Sequence, residues 1–363
     1  MQTAHVAEPS APPAAAASSS SGPVPAIDLL RVLATVAVVV LHVASNLVYD
    51  PARIGTGNWW AANVVNAYVR WCVPVFVMIS GYLLLSPDKT YGTGEFYRRR
   101  LARLGVPVVA WTVIYFVWRE TWGNEEIGLR AVVWSIAIGN PEFHLYFLFL
   151  IFGLYLFTPA LRTFVARATA REQLWAGGLA LGVAVADDVV HLLVPLKPET
   201  VVSHFVPFVG YYVLGHALPR LPLTPRWRAV WWTGVAVVPL VAAVALGWLA
   251  THGQATRGFL LLAYLSPFVA WTSLGVFVLA VRAPVGGFVD RLGRSAAVRW
   301  TAPATLGVYL LHPIVMDVTA ALAKRWEPTI ALYLIGWTAV TLALTVPAVL
   351  LVQRVPYVRR IMG

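Results

Sequence analysis

Ten apolar stretches, each long enough to cross a lipid bilayer as a helix, dominate the sequence from residue 27 onward. Their approximate limits are 27–49, 62–86, 101–119, 143–162, 174–194, 203–219, 229–250, 258–281, 302–323 and 330–353. Inside lipid, only helices and closed barrels satisfy every backbone amide, and about 20 apolar residues form a spanning helix. The sequence therefore predicts an all-α polytopic membrane protein of about ten transmembrane helices, with one membrane domain over residues 27–355.

The composition excludes a water-soluble globule. Hydrophobic residues make up 59% of the chain, charged residues 12%, and the mean hydropathy is +0.71. Soluble domains hold about 45–50% apolar and about 25% charged residues. Because this chain has too few polar side chains to cover a surface in water, its apolar surplus must face lipid.

The net charge of +11 indicates topology rather than nucleic-acid binding. Of the 27 Lys and Arg residues, 18 lie in the loops of one side, seven in the loops of the other, and Arg31 and Arg70 lie inside predicted spans. Because loops rich in Lys and Arg stay in the cytoplasm, both termini are predicted to be cytoplasmic, in agreement with an even number of spans. No nucleic-acid partner is expected, since no single soluble surface collects the charge.

Short segments flank the predicted membrane domain. Residues 1–26 are rich in Ala, Pro and Ser and are expected to form a disordered leader. Residues 356–363 are expected to form a short cytoplasmic tail. The single cysteine, Cys72, excludes an intrachain disulfide and a Cys-rich zinc site, so no metal is expected.

The first predicted span carries two ionisable residues, Arg31 and His42. Ionisable side chains inside lipid cost a few kcal/mol, which makes each one a functional candidate. Eleven residues turn a helix by about 1100°, so both lie on one face, about 16 Å apart along the axis. We expect Asp28 to pair with Arg31 and a neutral His42 to accept a proton as a general base. A snorkelling Arg31 and a purely structural His42 are the alternatives.

The second predicted span carries Asn63, Asn66 and Arg70 on one helical face. Arg70 is a candidate for binding an anionic group or stabilising an oxyanion, and a purely structural interhelical hydrogen bond is equally open. Pro74 and the run Ser80–Tyr82 are predicted to bend and thin the helix near its cytoplasmic end, where a ligand could approach the backbone.

A cluster of arginines precedes the third predicted span: Arg98, Arg99, Arg100 and Arg103. Guanidinium groups at the start of a helix could bind the phosphates of a cytoplasmic nucleotide-like cofactor, although the positive-inside bias explains part of the cluster. No glycine-rich phosphate loop is present, so the sequence does not favour an ATP-driven machine.

Three further polar residues are site candidates: His144 in span four, and Tyr309 and His312 in span nine. Pro313 lacks an N–H and frees a carbonyl near Tyr309, so a packing role for His312 is as open as a site role. The histidines lack local zinc-ligand spacing. A carboxylate partner for His42 is left open among Glu142, Asp187 and Asp188.

Five elements together resemble the bacterial membrane acyltransferase-3 family, the integral-membrane O-acyltransferases. They are Ile27 to Arg31 followed by His42, Val73 to Tyr82, Arg98 to Arg103 with Pro107, His144 to Leu148 leading to Tyr155 and Pro159, and Leu306 to Pro313. The resemblance covers about residues 27 to 355, in the family's order. It departs at Tyr146, where many members have Trp, and is to the short stand-alone members without an esterase-like extension.

The resemblance implies transfer of an acyl group, most often acetyl, from cytoplasmic acyl-CoA to a hydroxyl of a glycan or glycosylated small molecule. It implies a multi-pass protein of a bacterial plasma membrane. His42 matches the essential histidine, Arg31 its paired arginine, and the arginine cluster the region that engages CoA phosphates. With these we group Arg70 as catalytic, Ser80 as donor-binding, and five residues as acceptor-binding: Asn66, His144, Tyr146, Tyr309 and His312.

Direct transfer and a covalent acyl-histidine are both open. The alternative function is transport of a glycan, lipid or small molecule along the buried charges. The residues of such a pathway would be Arg31, Arg70, His42, His312 and Asp317. The sequence shows no inverted repeat, which disfavours a transporter, and the arginine cluster favours the acyltransferase. The oligomeric state is not predicted.

Overall fold

The structure is a computed structural model that describes residues 25–86, 92–193, 205–322 and 329–363. Within these ranges the regular structure is helical and no strand occurs. The α-helices are α1 Pro25–Val48, α2 Gly57–Val69, α3 Cys72–Leu84, α4 Thr93–Thr121, α5 Leu129–Ala137, α6 Tyr146–Arg167, α7 Ala170–Leu193, α8 Val209–Ala217, α9 Pro225–Thr251, α10 Ala255–Leu260, α11 Pro267–Val281, α12 Phe288–Gly293, α13 Ala296–Thr301, α14 Thr305–Leu322 and α15 Trp337–Val352.

Eight helical stretches in the described residues are long and apolar enough to cross a membrane, which confirms the all-α polytopic fold. The predicted span at 258–281 corresponds to the shorter apolar helix α11. The predicted span at 203–219 corresponds to α8, and its first residues lie outside the described ranges. The count of ten therefore stays a prediction, as does the leader, of which residues 1–24 are not described.

Helix α1 lies in the middle of the bundle. It packs against α2, α3, α11, α12, α13, α14 and α15. Its buried side chains are Leu, Val, Ala and Ile on most of its circumference, as expected of a helix surrounded by other helices. Arg31 and His42 of α1 are therefore half-buried among neighbouring helices.

The second predicted span is divided into two helices. α2 ends at Val69 and α3 begins at Cys72, so the interruption falls at Arg70 and Trp71. Pro74 has no N–H for the carbonyl of Arg70, four residues earlier, and its ring crowds that carbonyl. The sequence correctly identified Pro74 as a helix breaker, but it placed the distortion nearer the cytoplasmic end.

Gly81 and Gly215 allow close contact between α3 and α8. A Cβ added at Gly81 would clash with the carbonyl oxygen of Tyr212, and one added at Gly215 would clash with the carbonyl oxygen of Met78. Small residues let helix backbones approach in this way inside membranes. A neighbouring helix thus occupies the position where the sequence led us to expect a ligand against Gly81.

The segment after α15 packs against the helices. A 3-10 turn covers Val358–Ile361, and the indole Nε1 of Trp111 in α4 donates to the carbonyl oxygen of Ile361 at 2.8 Å. Met362 is buried, with 4% of its surface exposed. These contacts fix the backbone of the residues that sequence analysis predicted to be a tail.

Candidate active site

Two cavities follow the same four helices, α1, α3, α6 and α14. The first, of about 660 Å³, is lined on these helices by Val38, His42, Val73, Tyr146 and Pro313. The second, of about 170 Å³, is lined there by Arg31, Phe76, Phe147 and Leu306. Tyr309 lines both. Because the second contains the arginines of the predicted cytoplasmic side, we call it the inner cavity and the first the outer cavity.

Three neighbouring aromatic rings line the inner cavity, and one of them, Tyr309, also lines the outer cavity. The centroid of Phe147 lies 5.8 Å from that of Phe76 and 5.6 Å from that of Tyr309. We call Phe76, Phe147 and Tyr309 the ring layer. The hydroxyl of Tyr309 donates to the backbone carbonyl of His144, which fixes one member of the layer to the start of α6.

His42 lines the outer cavity from the face of α1 that also carries Ser45, Asn46 and Tyr49. Its ring centroid lies 5.0 Å from that of Phe143, edge to face, and 5.2 Å from that of His312. Among the residues that the structure describes, no carboxylate forms an ion pair with His42. The ring neighbours of the predicted base are therefore aromatic and imidazole groups.

Arg70 is buried beside the outer cavity, with 8% of its surface exposed, and its donors are directed by neighbours. Its Nε donates to Asn66 Oδ1 at 2.8 Å, and its NH2 donates to the Tyr49 hydroxyl at 2.7 Å. The guanidinium carbon lies 5.7 Å from the ring centroid of Tyr264. Arg70, at the helix interruption, thus places an oriented guanidinium group at the same cavity as His42.

Asn66 connects Arg70 to α1. Its amide Nδ2 donates to the Ser45 hydroxyl at 3.0 Å and to the Leu41 carbonyl at 3.3 Å, while its Oδ1 accepts from Arg70. Asn63 faces another helix, since its Nδ2 donates to the carbonyl of Ala243 in α9 at 2.8 Å. Asn66, grouped above as acceptor-binding, does not line the outer cavity; it orients Arg70, which does, while Asn63 joins two helices.

Backbone geometry fixes the tautomer of His312. Its Nδ1 lies 2.8 Å from the Tyr309 carbonyl oxygen and 3.1 Å from that of Val308. Because a carbonyl only accepts, Nδ1 must carry the proton, and neutral His312 then has its lone pair on Nε2. The Nε2 atom is buried and has no hydrogen-bond partner among the described residues. Pro313 explains the arrangement, since it leaves the Tyr309 carbonyl without its helical donor.

His144 lines the outer cavity together with His42, whereas His312, grouped above as acceptor-binding, is fully buried and is not part of the lining. The ring centroid of His144 lies 5.9 Å from that of His312 and 4.6 Å from that of Tyr115, and 1% of the His144 surface is exposed. Neither ring nitrogen has a hydrogen-bond partner within the described ranges. In that part of the chain, no group of three His, Cys, Asp or Glu residues is arranged to hold a metal ion.

Several outer-cavity residues were not among the sequence candidates. They are Tyr49, Phe143, Tyr264, Asp317 and Trp337. A signal existed for Tyr49, which continues the α1 face at seven residues from His42. Asp317 was named only for transport, and it accepts from the Trp118 indole at 2.9 Å. The rings of Tyr146 and Tyr264 are stacked with centroids 6.3 Å apart, so Tyr146 lines the cavity as an aromatic surface.

A carboxylate lies beside the outer cavity, on the loop before α6. Glu142 Oε2 lies 3.9 Å from Arg119 Nε, and burial raises the pKa of the Glu142 carboxyl. Burial favours the neutral form of an acid because the charged form loses its hydration. Glu142 is thus half-buried, two residues before His144 in the sequence.

The inner cavity collects only part of the arginine cluster. Arg100 and Arg103 line it together with Arg31 and Ser80. Arg31 donates to Asp28 at 3.2 Å, the partner that sequence spacing predicts. The Ser80 hydroxyl donates to the Phe76 carbonyl at 3.0 Å.

Arg98 and Arg99 lie outside this cavity. Arg98 NH2 and Arg99 Nε lie 2.7 Å and 2.6 Å from the two carboxylate oxygens of Glu95. Both arginines are exposed, so the four residues of the predicted cluster point to different surroundings. Arg100 instead faces aromatic rings, with its guanidinium carbon 5.7 Å from the ring of Phe96 and 5.9 Å from that of Tyr155.

The fold and these cavities define a polytopic membrane protein with a histidine- and arginine-lined site within its helices. A family model described as an acyltransferase domain matches residues 24–353, nearly the whole chain. The chain belongs to the acyltransferase-3 family, and it is a membrane acyltransferase. Neither the curated proteins nor the solved structures contain a significant match.

Proposed function

We propose that this protein transfers an acetyl group from cytoplasmic acyl-CoA to a hydroxyl of a sugar-containing acceptor in the outer cavity. The observation that carries the proposal is the placement of two cavities along the same four helices, with Tyr309 in both. The inner cavity presents cations to a donor, and the outer cavity presents histidines and aromatic rings to an acceptor. The proposed location is a bacterial plasma membrane.

In the proposed reaction, His42 removes the proton of the acceptor hydroxyl as its oxygen attacks the thioester carbonyl. The new bond is C–O, the broken bond is C–S, and the proton passes to the leaving thiolate. General-base catalysis of this type contributes roughly 10²–10⁴ in rate. His42 is suited to the role because it lines the outer cavity and has no carboxylate ion pair among the described residues.

Arg70 supplies positive charge to the developing oxyanion in this proposal. Its orientation is set before the reaction by Asn66 and Tyr49, at 2.8 and 2.7 Å. Donors that are already oriented stabilise a transition state without reorganisation, which is why such groups are effective in dry sites. Attack by the acceptor itself and attack by His42 to form an acyl-histidine use the same groups.

The donor enters from the arginine side. Arg31 lines the inner cavity, and His42 lies eleven residues later on the same helix, about 16 Å along the axis. The flexible arm of acyl-CoA would extend past Ser80 and the ring layer to bring the thioester near His42. The tyrosines and Trp337 that line the outer cavity offer flat apolar surfaces of the kind that sugar rings stack on.

The test supplies radiolabelled acetyl-CoA to membrane vesicles from cells that make the full chain, and follows label into alkali-labile ester products. His42→Ala is expected to abolish this label and to keep acetyl-CoA binding within a few-fold. His252→Ala, an exposed histidine stacked on Trp248, is the matched control and keeps native labelling. Near-native labelling by His42→Ala rejects the mechanism. Uptake of an unmodified solute without ester formation would support the transport hypothesis instead.

A further inference from the structure

A third cavity lies next to the inner cavity, and its lining is basic. It has a volume of about 380 Å³ and is lined by Ala102, Arg103, Pro303, Gln353, Arg359, Arg360 and Gly363. None of these lining residues has an acidic side chain. Arg103 and Pro303 also line the inner cavity, so the two spaces share a wall.

The arginines of this basic cavity are available to a ligand. Arg103, Arg359 and Arg360 are exposed, and the ion pairs within the described residues include none of them. Arg98 and Arg99, by contrast, both form ion pairs with Glu95. Three uncompensated guanidinium groups around one concave space are a strong arrangement for binding phosphate through charge-assisted hydrogen bonds.

The backbone that carries Arg359 and Arg360 is held in place. Trp111 donates to the carbonyl of Ile361 at 2.8 Å, and Met362 is buried in the apolar core beside α14. The two arginines therefore lie on a turn anchored immediately after them. A site with a fixed backbone loses less conformational freedom on binding than a loose tail would.

The inner cavity is smaller than the basic cavity, which leaves room in the basic cavity for the charged end of a donor such as acyl-CoA. The volume of the inner cavity is about 170 Å³, and most of its lining is apolar, including Phe76, Leu104 and Ile151. Pocket lining of this kind suits an acyl chain and an uncharged arm. Arg31 and Arg100 also line the inner cavity, but Arg31 pairs with Asp28, and the shared residue Arg103 leads to the adjoining basic cavity, which offers a phosphate group the larger space.

We propose that Arg103, Arg359 and Arg360 form the phosphate-binding site for the nucleotide end of the acyl donor, with the acyl arm in the inner cavity. The proposal rests on the proposed function and adds to it the place of the phosphates. It assigns the phosphate contacts that the sequence predicted for Arg98 and Arg99 to Arg359 and Arg360 instead. The ligand chemistry is that of a phosphorylated thioester cofactor.

The test compares binding of acetyl-CoA and of acetyl-pantetheine, which lacks every phosphate, to the detergent-purified full chain. In the variant Arg359→Gln with Arg360→Gln, we expect the acetyl-CoA Kd to rise by roughly tenfold or more for each arginine, because a charged hydrogen bond contributes about 1.5–3 kcal/mol. The acetyl-pantetheine Kd is expected to stay at its native value. Arg360→Glu is expected to weaken acetyl-CoA binding more than Arg360→Gln does, because a carboxylate repels the phosphates.

The matched control is Arg167→Gln with Arg171→Gln, two exposed arginines at the end of α6 and the start of α7 that line none of the cavities described above. This control removes the same net charge and is expected to bind acetyl-CoA as the native protein does. Native acetyl-CoA affinity in the Arg359 and Arg360 variant, with catalysis intact, overturns the phosphate site and leaves the proposed function standing. Absence of acyl-CoA binding by the native protein overturns both.

Discussion

The Nδ1 atom of His312 lies 2.8 Å from the carbonyl oxygen of Tyr309, the oxygen that Pro313 leaves without a helical donor. This hydrogen bond fills a gap in the helix and leaves the Nε2 lone pair facing the interior, where the His42 ring centroid is 5.2 Å away. The His312 side chain thus supplies the hydrogen bond that the Tyr309 carbonyl lacks, and its Nε2, unpartnered among the described residues, is left free to accept a hydrogen bond at the site.

The two roles of His312 are separable with His312→Asn. The asparagine amide keeps a donor near the position of Nδ1 and removes Nε2, so we expect a melting temperature close to native. We expect kcat to fall about tenfold, the equivalent of one lost hydrogen bond of about 1.4 kcal/mol. His252→Asn is the exposed control. Native kcat together with a lower melting temperature would assign His312 to structure alone.

Asn66→Ala is expected to reduce turnover through Arg70. The substitution removes the acceptor of Arg70 Nε and the donor to Ser45, so the guanidinium loses its fixed orientation. We expect kcat to fall while KM for the acyl donor stays near native, and stability to fall by about 1–3 kcal/mol. Asn58→Ala, an exposed position on the same helix α2, is the control. Unchanged kcat would separate Arg70 from the chemistry.

Tyr309→Phe is expected to lower stability without closing either cavity. The ring remains in the ring layer, but the buried carbonyl of His144 loses its donor. An unsatisfied buried carbonyl costs about 1–3 kcal/mol. Denaturant unfolding in detergent measures the loss, with the exposed Tyr357→Phe as the control. Equal stability of the two variants would show that water replaces the missing hydroxyl.

Gly81→Ala is expected to destabilise the protein strongly. The new methyl group would meet the backbone of Tyr212, which cannot move aside as a flexible side chain could. Overpacking of this kind costs about 1–3 kcal/mol and sometimes more. Gly182→Ala in α7 is the control, since a Cβ there meets nothing within 4 Å. Equal melting temperatures for the two variants would contradict the close contact of α3 with α8.

Helix periodicity gave the parts of the site that lie on one element. Arg31 pairs with Asp28 as the spacing predicts, and His42 lines the outer cavity with Ser45 and Asn46 of the following turn. The freed carbonyl at Tyr309 follows from the position of Pro313 alone. Each of these relationships depends on spacings of three, four or eleven residues, which a sequence shows directly.

Contacts between residues on different helices could not be predicted from the sequence in the same way. The hydrogen bonds from Asn66 to α1, the contact of His42 with His312 and the approach of Gly81 to Tyr212 join residues distant in sequence. For the arginine cluster, a local signal existed: Glu95 stands three and four residues before Arg98 and Arg99, the spacing of helical ion pairs.

The ring layer has a consequence for the membrane itself. A bilayer that stores energy as an ion gradient exerts about 2.3 kcal/mol on each elementary charge for every 100 mV, so any continuous water path through a protein short-circuits it. Tyr309 lines the cavity on each side, and Phe147 and Phe76 continue the ring layer along the inner cavity. In the proposed reaction these rings must let a slender organic arm pass and still stop hydrated ions. The same three side chains would then control both the passage of the acyl donor through this protein and the leakage of ions across its membrane.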